Sequence, residues 1–163
     1  MNINDILGNE EDDFLNFDLT EIQKVLKELN STEAIDLPHA ERLQQMCLRA
    51  SDLISDYSSK LVKTVGYLES KLNKERNKII VEYKSNSNER VSADVRKAAA
   101  EASDVVENIN IQLSKAKAAK SLLDKKYDII SKSFYYYKEI AAGYNRTSVG
   151  FAKTPKTDYN GWD

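Results

Sequence analysis

The chain has 163 residues, of which 41% are hydrophobic and 31% charged, with five glycines and two prolines. This composition predicts one domain of long helices, because few residues interrupt a helical pattern. Its single cysteine, Cys47, excludes an intrachain disulfide, and no apolar stretch approaches the roughly 20 residues that span a bilayer. We therefore expect a cytoplasmic protein without a signal peptide or a membrane partner.

Charge is distributed unevenly along the chain. Residues 1–37 hold ten acidic residues and two lysines, whereas residues 113–156 hold ten lysines or arginines and three acidic residues. The basic part favours an anionic partner, and the acidic part suits an internal competitor or a handle for another protein. Long helices also need charged outer faces, so charge alone leaves that simpler explanation open.

The N-terminal part is expected to contain an arm and a short helix. Residues 1–17 combine an acidic run with few apolar residues, which predicts an acidic flexible arm. A short helix is predicted over 18–30, since Leu19, Ile22, Leu26 and Leu29 share one face. Thr20 with Gln23 is expected to form its capping box.

Residues 38–143 are predicted to form a long antiparallel helical hairpin, a coiled coil, so the fold class is all-α. Pro38 opens the first helix, the polar segment 85–91 is the tip, and Ser92 is the expected N-cap of the second helix. The second helix carries a seam at alternating steps of four and three residues, which predicts one unbroken helix over 95–141. The seam consists of Val95, Ala99, Ala102, Val106, Ile109, Leu113, Ala116, Lys120, Leu123, Tyr127, Ile130, Phe134, Tyr137 and Ala141. Residues 144–163 are expected to be a flexible tail.

Both long helices carry a second apolar stripe that a two-helix hairpin leaves uncovered. These stripes contain Leu53, Val62 and Ile80 on the first helix, and Val105, Leu122, Ile129, Tyr136 and Ile140 on the second. Neighbouring copies would cover them, so we expect a homo-oligomer, whose number of chains the seam does not fix.

Residues suited to catalysis are few. His39 is the only histidine, no second His or Cys completes a metal site with it, and the glycines are too scattered for a phosphate-binding loop. Cys47 lies on the inner face of a predicted helix and is expected to be a packed small hydrophobe. We expect no enzyme, no catalytic residue, no metal and no cofactor.

A group of aromatic and basic residues near the end of the second helix is the most distinctive feature. Phe134 and Tyr137 belong to the seam, and Tyr135 and Tyr136 cannot both share that face, so at least one ring is expected to be exposed. Rings among cations suit single-stranded nucleic acid, and tyrosines also anchor protomer interfaces; both hold if the oligomer forms the binding surface. The candidate nucleic-acid-binding residues are Lys125, Lys126, Lys132, Tyr135, Tyr136, Lys138 and Arg146.

Three segments resemble a known family. They are Val91-Ser92-Ala93-Asp94-Val95-Arg96, Tyr136-Tyr137-Lys138 and Tyr144-Asn145-Arg146-Thr147. Over residues 38–151 the layout resembles the UvsY-like recombination mediator proteins of T4-like bacteriophages. The resemblance implies an oligomer in the host cell cytoplasm that binds single-stranded DNA, helps displace the single-strand-binding protein and loads a recombinase.

The leading expectation is therefore an oligomeric single-stranded DNA-binding accessory protein of recombination or replication. The alternative is a coiled-coil structural or assembly protein of a phage, a scaffold or adaptor, in which the same seam and tyrosines only join protomers. A third class, a regulator whose acidic arm mimics nucleic acid, rests on the acidic residues of the first 37 positions.

Overall fold

The computed structural model describes residues 15–31, 34, 36–86 and 91–152. Four helices make up 92% of these residues, and no strand occurs among them: α1 (Thr20–Ser31), α2 (Leu37–Asn86), α3 (Ala93–Glu101) and α4 (Asp104–Ala152). The predicted all-α class and the packing of two long helices against each other are confirmed. The chain forms two compact units. The first unit contains the described residues up to Thr20 with Leu53–Tyr127, and the second contains Glu21–Asp52 with those from Asp128 onward.

The first unit is held by an apolar cluster between α2 and α4. Its buried members are Leu68, Leu72, Val106, Ile109, Leu113 and Ala116, with Val65 and Ile79 packed at its edge. Ion pairs join Lys117 to Glu69 at 2.8 Å and Arg76 to Glu101 at 2.9 Å. The later residue of α2, Arg76, thus contacts Glu101 of α3, and the earlier one, Glu69, contacts Lys117 of α4. The chain after the tip therefore runs antiparallel to α2. These pairs are solvent-accessible and contribute at most about 1 kcal/mol each, so the apolar cluster supplies most of the stability.

The segment before α1 belongs to the first unit and packs against α2. Leu15, Phe17 and Leu19 are buried, and the Phe17 ring lies 4.8 Å from the Tyr57 ring. The Tyr57 hydroxyl also donates a hydrogen bond to the Asp18 carbonyl oxygen at 3.1 Å. The predicted flexible arm over 1–17 is therefore wrong for residues 15–17, because the alternating apolar side chains anchor them. Residues 1–14 lie outside the described part.

Acidic side chains open the first two helices. The Asp18 carboxylate accepts hydrogen bonds from the Thr20 backbone N–H at 2.9 Å and from its hydroxyl at 2.6 Å, so Asp18 caps the N-terminal end of α1. At α2, the Asp36 carboxylate accepts from the His39 N–H at 2.8 Å. Pro38 occupies the first turn as predicted, where its missing N–H leaves no helical hydrogen bond unmade.

The second unit buries apolar residues from three helices. They are Ile22 and Val25 of α1, Ala40, Leu43, Cys47 and Ala50 of α2, and Ile130, Tyr137 and Ala141 of α4. Cys47 is fully buried, and desolvation raises the pKa of its thiol to about 11. Its predicted role as a packed hydrophobe is confirmed.

The predicted unbroken helix over 95–141 is wrong, because α3 ends at Glu101 and α4 begins at Asp104. The Ala102 N–H still bonds to the Ala98 carbonyl at 2.9 Å, but the Ser103 N–H bonds to the Ala100 carbonyl at 3.3 Å, which tightens the turn. The Ser103 carbonyl then accepts the first hydrogen bond of α4, from the Glu107 N–H at 2.9 Å. From Asp104 onward the helix is continuous through position 141.

The predicted cap of α3 is present, and α2 reaches into the predicted tip of the hairpin. Ser92 is the N-cap of α3, and its side chain accepts from the Val95 N–H at 3.3 Å, as predicted. Helix α2 extends to Asn86, two residues into the predicted 85–91 tip. Residues 87–90 of that tip lie outside the described part.

The seam is confirmed in most of α4 and shifts at a few positions. Its members Val106, Ile109, Leu113, Ala116, Leu123, Ile130, Tyr137 and Ala141 are buried. Val95 and Tyr127 are exposed, whereas Ala100 and Ala119 are buried. Ala119 replaces its predicted neighbour Lys120, which forms an ion pair with Asp124 at 2.7 Å. The buried line therefore steps from Ala116 to Ala119 and rejoins the predicted seam at Leu123.

The predicted flexible tail over 144–163 is wrong for residues 144–152, because α4 continues through Gly143 to Ala152. A Cβ built on Gly143 meets no atom within 4 Å, so the helix passes this glycine without a steric need for it. Residues 153–163 lie outside the described part. Within the described part, no helix is both long and apolar enough to cross a bilayer.

Candidate nucleic-acid interface

Three consecutive tyrosines of α4 point in different directions. Tyr137 is 4% exposed and fills a core position, while Tyr135 is 60% and Tyr136 58% exposed. Successive helical residues are about 100° apart, so a core position at Tyr137 turns both neighbours away from the core. Tyr135 packs edge-to-face on Phe134 at 5.4 Å and Tyr136 on Tyr137 at 5.2 Å. The prediction that at least one ring is exposed is confirmed.

The second unit places three cations on the same outer face of α4. At about 100° per residue, Lys132, Lys138 and Arg146 all lie within roughly 60° of Tyr135 around the helix axis. All three are exposed. None takes part in an ion pair or a hydrogen bond among the residues that the structure describes. Their charges are thus available to an external anion.

A shallow depression runs along this outer face. It is lined by Tyr135, Lys138, Glu139, Ala142, Gly143 and Arg146. Ala142 and Gly143 form its floor, because neither side chain extends beyond a methyl group. Glu139 lies one turn before this floor and Arg146 one turn after it, at a rise of about 1.5 Å per residue. We call this feature the α4 depression.

Two of the candidate residues belong to the other unit. Lys125 and Lys126 fall within Leu53–Tyr127, in the first unit, and the remaining five fall in the second. Lys125 is exposed and Lys126 is half-buried. The second unit therefore holds Lys132, Tyr135, Tyr136, Lys138 and Arg146.

Glu139 and Gly143 are site residues that the sequence reasoning missed. The predicted hairpin ends at position 143, and Glu139 is one of three acidic residues within the basic region 113–156. The signal was present, since both follow Tyr135 at steps of four, which places them on one helix face.

The arrangement suits non-covalent binding. Exposed rings stack on flat partners and unpaired cations attract phosphates. His39 lies in the first turn of α2, and the buried Cys47 thiol has a raised pKa, which disfavours the reactive thiolate. Among the described residues no three His, Cys, Asp or Glu side chains form a group that could hold a metal ion.

No protein-family model, curated protein or solved structure matches this chain. The arrangement of side chains on α4 is therefore the observation from which a function is inferred.

Proposed function

We propose that this chain binds single-stranded DNA through the outer face of α4 and acts as an oligomeric accessory protein of recombination or replication. The observation that carries the proposal is the exposure of two adjacent rings, Tyr135 and Tyr136, among three cations that form no ion pair with any residue in the described part of the chain. Bases stack on such rings in a sequence-tolerant way, and the cations follow the phosphates.

The same geometry favours a single strand over a duplex. The rings stand on the convex surface of one helix, and in a duplex the faces of the bases are covered by their neighbours. In a single strand these faces are open to an aromatic ring. The preference for DNA over RNA comes from the resemblance to UvsY-like mediators.

The mediator role rests on that resemblance as well. From that resemblance we take the two proteins that we propose as partners, a recombinase and a single-strand-binding protein. The acidic N-terminal residues are the proposed contact with the recombinase, and deleting residues 1–14 tests this. Residues 15–17 must be kept, because Leu15 and Phe17 are buried. Loss of recombinase capture with unchanged DNA affinity supports the contact, and unchanged capture contradicts it.

A salt titration tests the DNA-binding proposal. Fluorescence anisotropy of a labelled mixed-sequence oligonucleotide gives the binding constant K at several salt concentrations. Phosphate contacts from Lys132, Lys138 and Arg146 predict a slope of log K against log salt of about −2, since each contact to a single strand adds about −0.7. Lys138→Gln should reduce the slope by about 0.7.

The matched control is Lys63→Gln, which removes an exposed lysine of the first unit. It should leave both the affinity and the slope unchanged. Absence of binding at low salt, or binding with no salt dependence, contradicts the proposal.

A second candidate, an assembly protein, is favoured by exposed apolar side chains. Val62 and Val105 in the first unit and Ile129 in the second are each about half exposed. Copies of the chain would remove this surface from water. On this candidate Tyr135→Ala with Tyr136→Ala dissociates the assembly, and an oligonucleotide has no effect at near-physiological salt.

A further inference from the structure

Glu139 is the one acidic residue that lines the α4 depression. It takes part in no ion pair or hydrogen bond among the described residues. A carboxylate there repels the phosphates that Lys138 and Arg146 attract, so it weakens purely electrostatic binding. It lies beside Ala142 and Gly143, where its carboxylate oxygens are open to accept a hydrogen bond from a ligand.

The floor of the depression has room for a base. Ala142 and Gly143 present no side chain larger than a methyl group, and the position of a Cβ on Gly143 is open for 4 Å. A base lying there has Glu139 on one side and Arg146 on the other, each within about one helical turn. Tyr135 lies one further turn toward the N-terminus, where it can stack on the next base of the strand.

An ionised carboxylate only accepts hydrogen bonds. Cytosine, adenine and guanine each carry an exocyclic amino group that donates, whereas thymine presents carbonyl oxygens and a single ring N–H. Thymine can donate to Glu139 only its ring N–H, which lies between two carbonyl oxygens that the carboxylate repels. In an exposed site we expect this repulsion to cost an amount at the lower end of the usual range for base discrimination.

We propose that Glu139 reads the base seated over Ala142 and Gly143 and makes the strand-binding face prefer amino-bearing bases over thymine. This proposal rests on the proposed function, because it names the base that the same face selects. We expect the wild-type protein to bind oligo-dC about fivefold more tightly than oligo-dT, near the lower limit for one base contact.

Two substitutions test the role of Glu139. Glu139→Gln keeps the shape but supplies an amide that both donates and accepts, so the ratio of the oligo-dC and oligo-dT affinities should fall to about one. Asp128→Asn is the matched control, since it removes a charge from the same helix face outside the depression. It should raise both affinities together and leave the ratio unchanged.

A second pair of variants tests the floor. Gly143→Leu fills the seat, and its Cβ meets nothing within 4 Å, so the helix should remain intact. Gly66→Leu is the matched control, because a Cβ on Gly66 of α2 also meets nothing within 4 Å. We expect Gly143→Leu to abolish the preference for oligo-dC and Gly66→Leu to keep it.

The outcomes separate this inference from the proposed function. Equal, salt-dependent binding of oligo-dC and oligo-dT by the wild type overturns the role of Glu139 and leaves the binding proposal standing. A preference that persists in both Glu139→Gln and Gly143→Leu also overturns it. Failure of the wild type to bind either oligonucleotide overturns the proposed function and the inference together.

Discussion

Replacing each of three adjacent tyrosines by alanine separates a core role from a binding role. Tyr137 is 4% exposed, and truncating a buried aromatic side chain costs about 3–5 kcal/mol of unfolding free energy through lost burial and a residual cavity. The higher helix propensity of alanine returns about 0.5 kcal/mol, so the expected loss is about 2.5–4.5 kcal/mol. Tyr135 and Tyr136 are more than half exposed, and their replacement should change stability by no more than about 0.5 kcal/mol.

DNA binding should show the opposite order. Stacking of a base on an aromatic ring contributes about 1–3 kcal/mol, so Tyr135→Ala with Tyr136→Ala should lose at least about 2 kcal/mol of binding free energy. That loss is roughly a 30-fold weaker affinity. Tyr135→Phe with Tyr136→Phe keeps both rings and should bind within about twofold of the wild type, because stacking uses the ring and not the hydroxyl.

Two assays on the same purified variants give these quantities. Urea unfolding followed by circular dichroism gives stability, and anisotropy of a labelled single strand gives affinity. If Tyr135→Ala with Tyr136→Ala lowers stability as much as Tyr137→Ala does, the two rings are not free of the core. If that double variant keeps the affinity of the wild type, the two rings do not stack on the bases.

Further predictions concern the caps and the buried thiol. Hydrogen bonds from Thr20 hold the pKa of Asp18 below its ordinary value of 3.8, so their stabilisation is present at neutral pH and is lost as the pH falls through the lowered pKa. Asp18→Asn should flatten the acid side of a urea-midpoint profile, and an unchanged profile would contradict the cap. Burial raises the pKa of Cys47 to about 11, so a thiol reagent should label it slowly in native protein at neutral pH and rapidly in denaturant; equal rates would show that it is accessible. Ser92→Ala should cost about 1 kcal/mol in urea unfolding and Ser92→Asp much less, unless the cap of α3 contributes nothing to stability.

Local sequence signals predicted most of the fold. The buried line from Val106 to Ala141 and the Ser92 cap follow from apolar spacing and from residue types that bond their own backbone. The break between α3 and α4 was not predicted, because Ala99, Ala100 and Ala102 are similar in size and their spacing fits more than one register. Ser103 followed by Asp104 is a helix-start signal that the seam obscured.

The site was predicted in part. Angular spacing along a helix was enough to predict an exposed ring next to a buried one. The predicted end of the second helix at position 143 was wrong, because a glycine inside a helix costs only about 1 kcal/mol of stability. Tertiary packing outweighs that cost, since Ala141 is buried and the Tyr144 hydroxyl lies 3.5 Å from the Ala34 carbonyl oxygen.

Light scattering coupled to size-exclusion chromatography, with and without a labelled single-stranded oligonucleotide at near-physiological salt, tests the central claim most directly. We expect the label to elute with the protein and added salt to release it. A protein that elutes with unchanged mass while the oligonucleotide elutes free, at low as well as at near-physiological salt, would contradict it and leave the assembly role as the better explanation of α4.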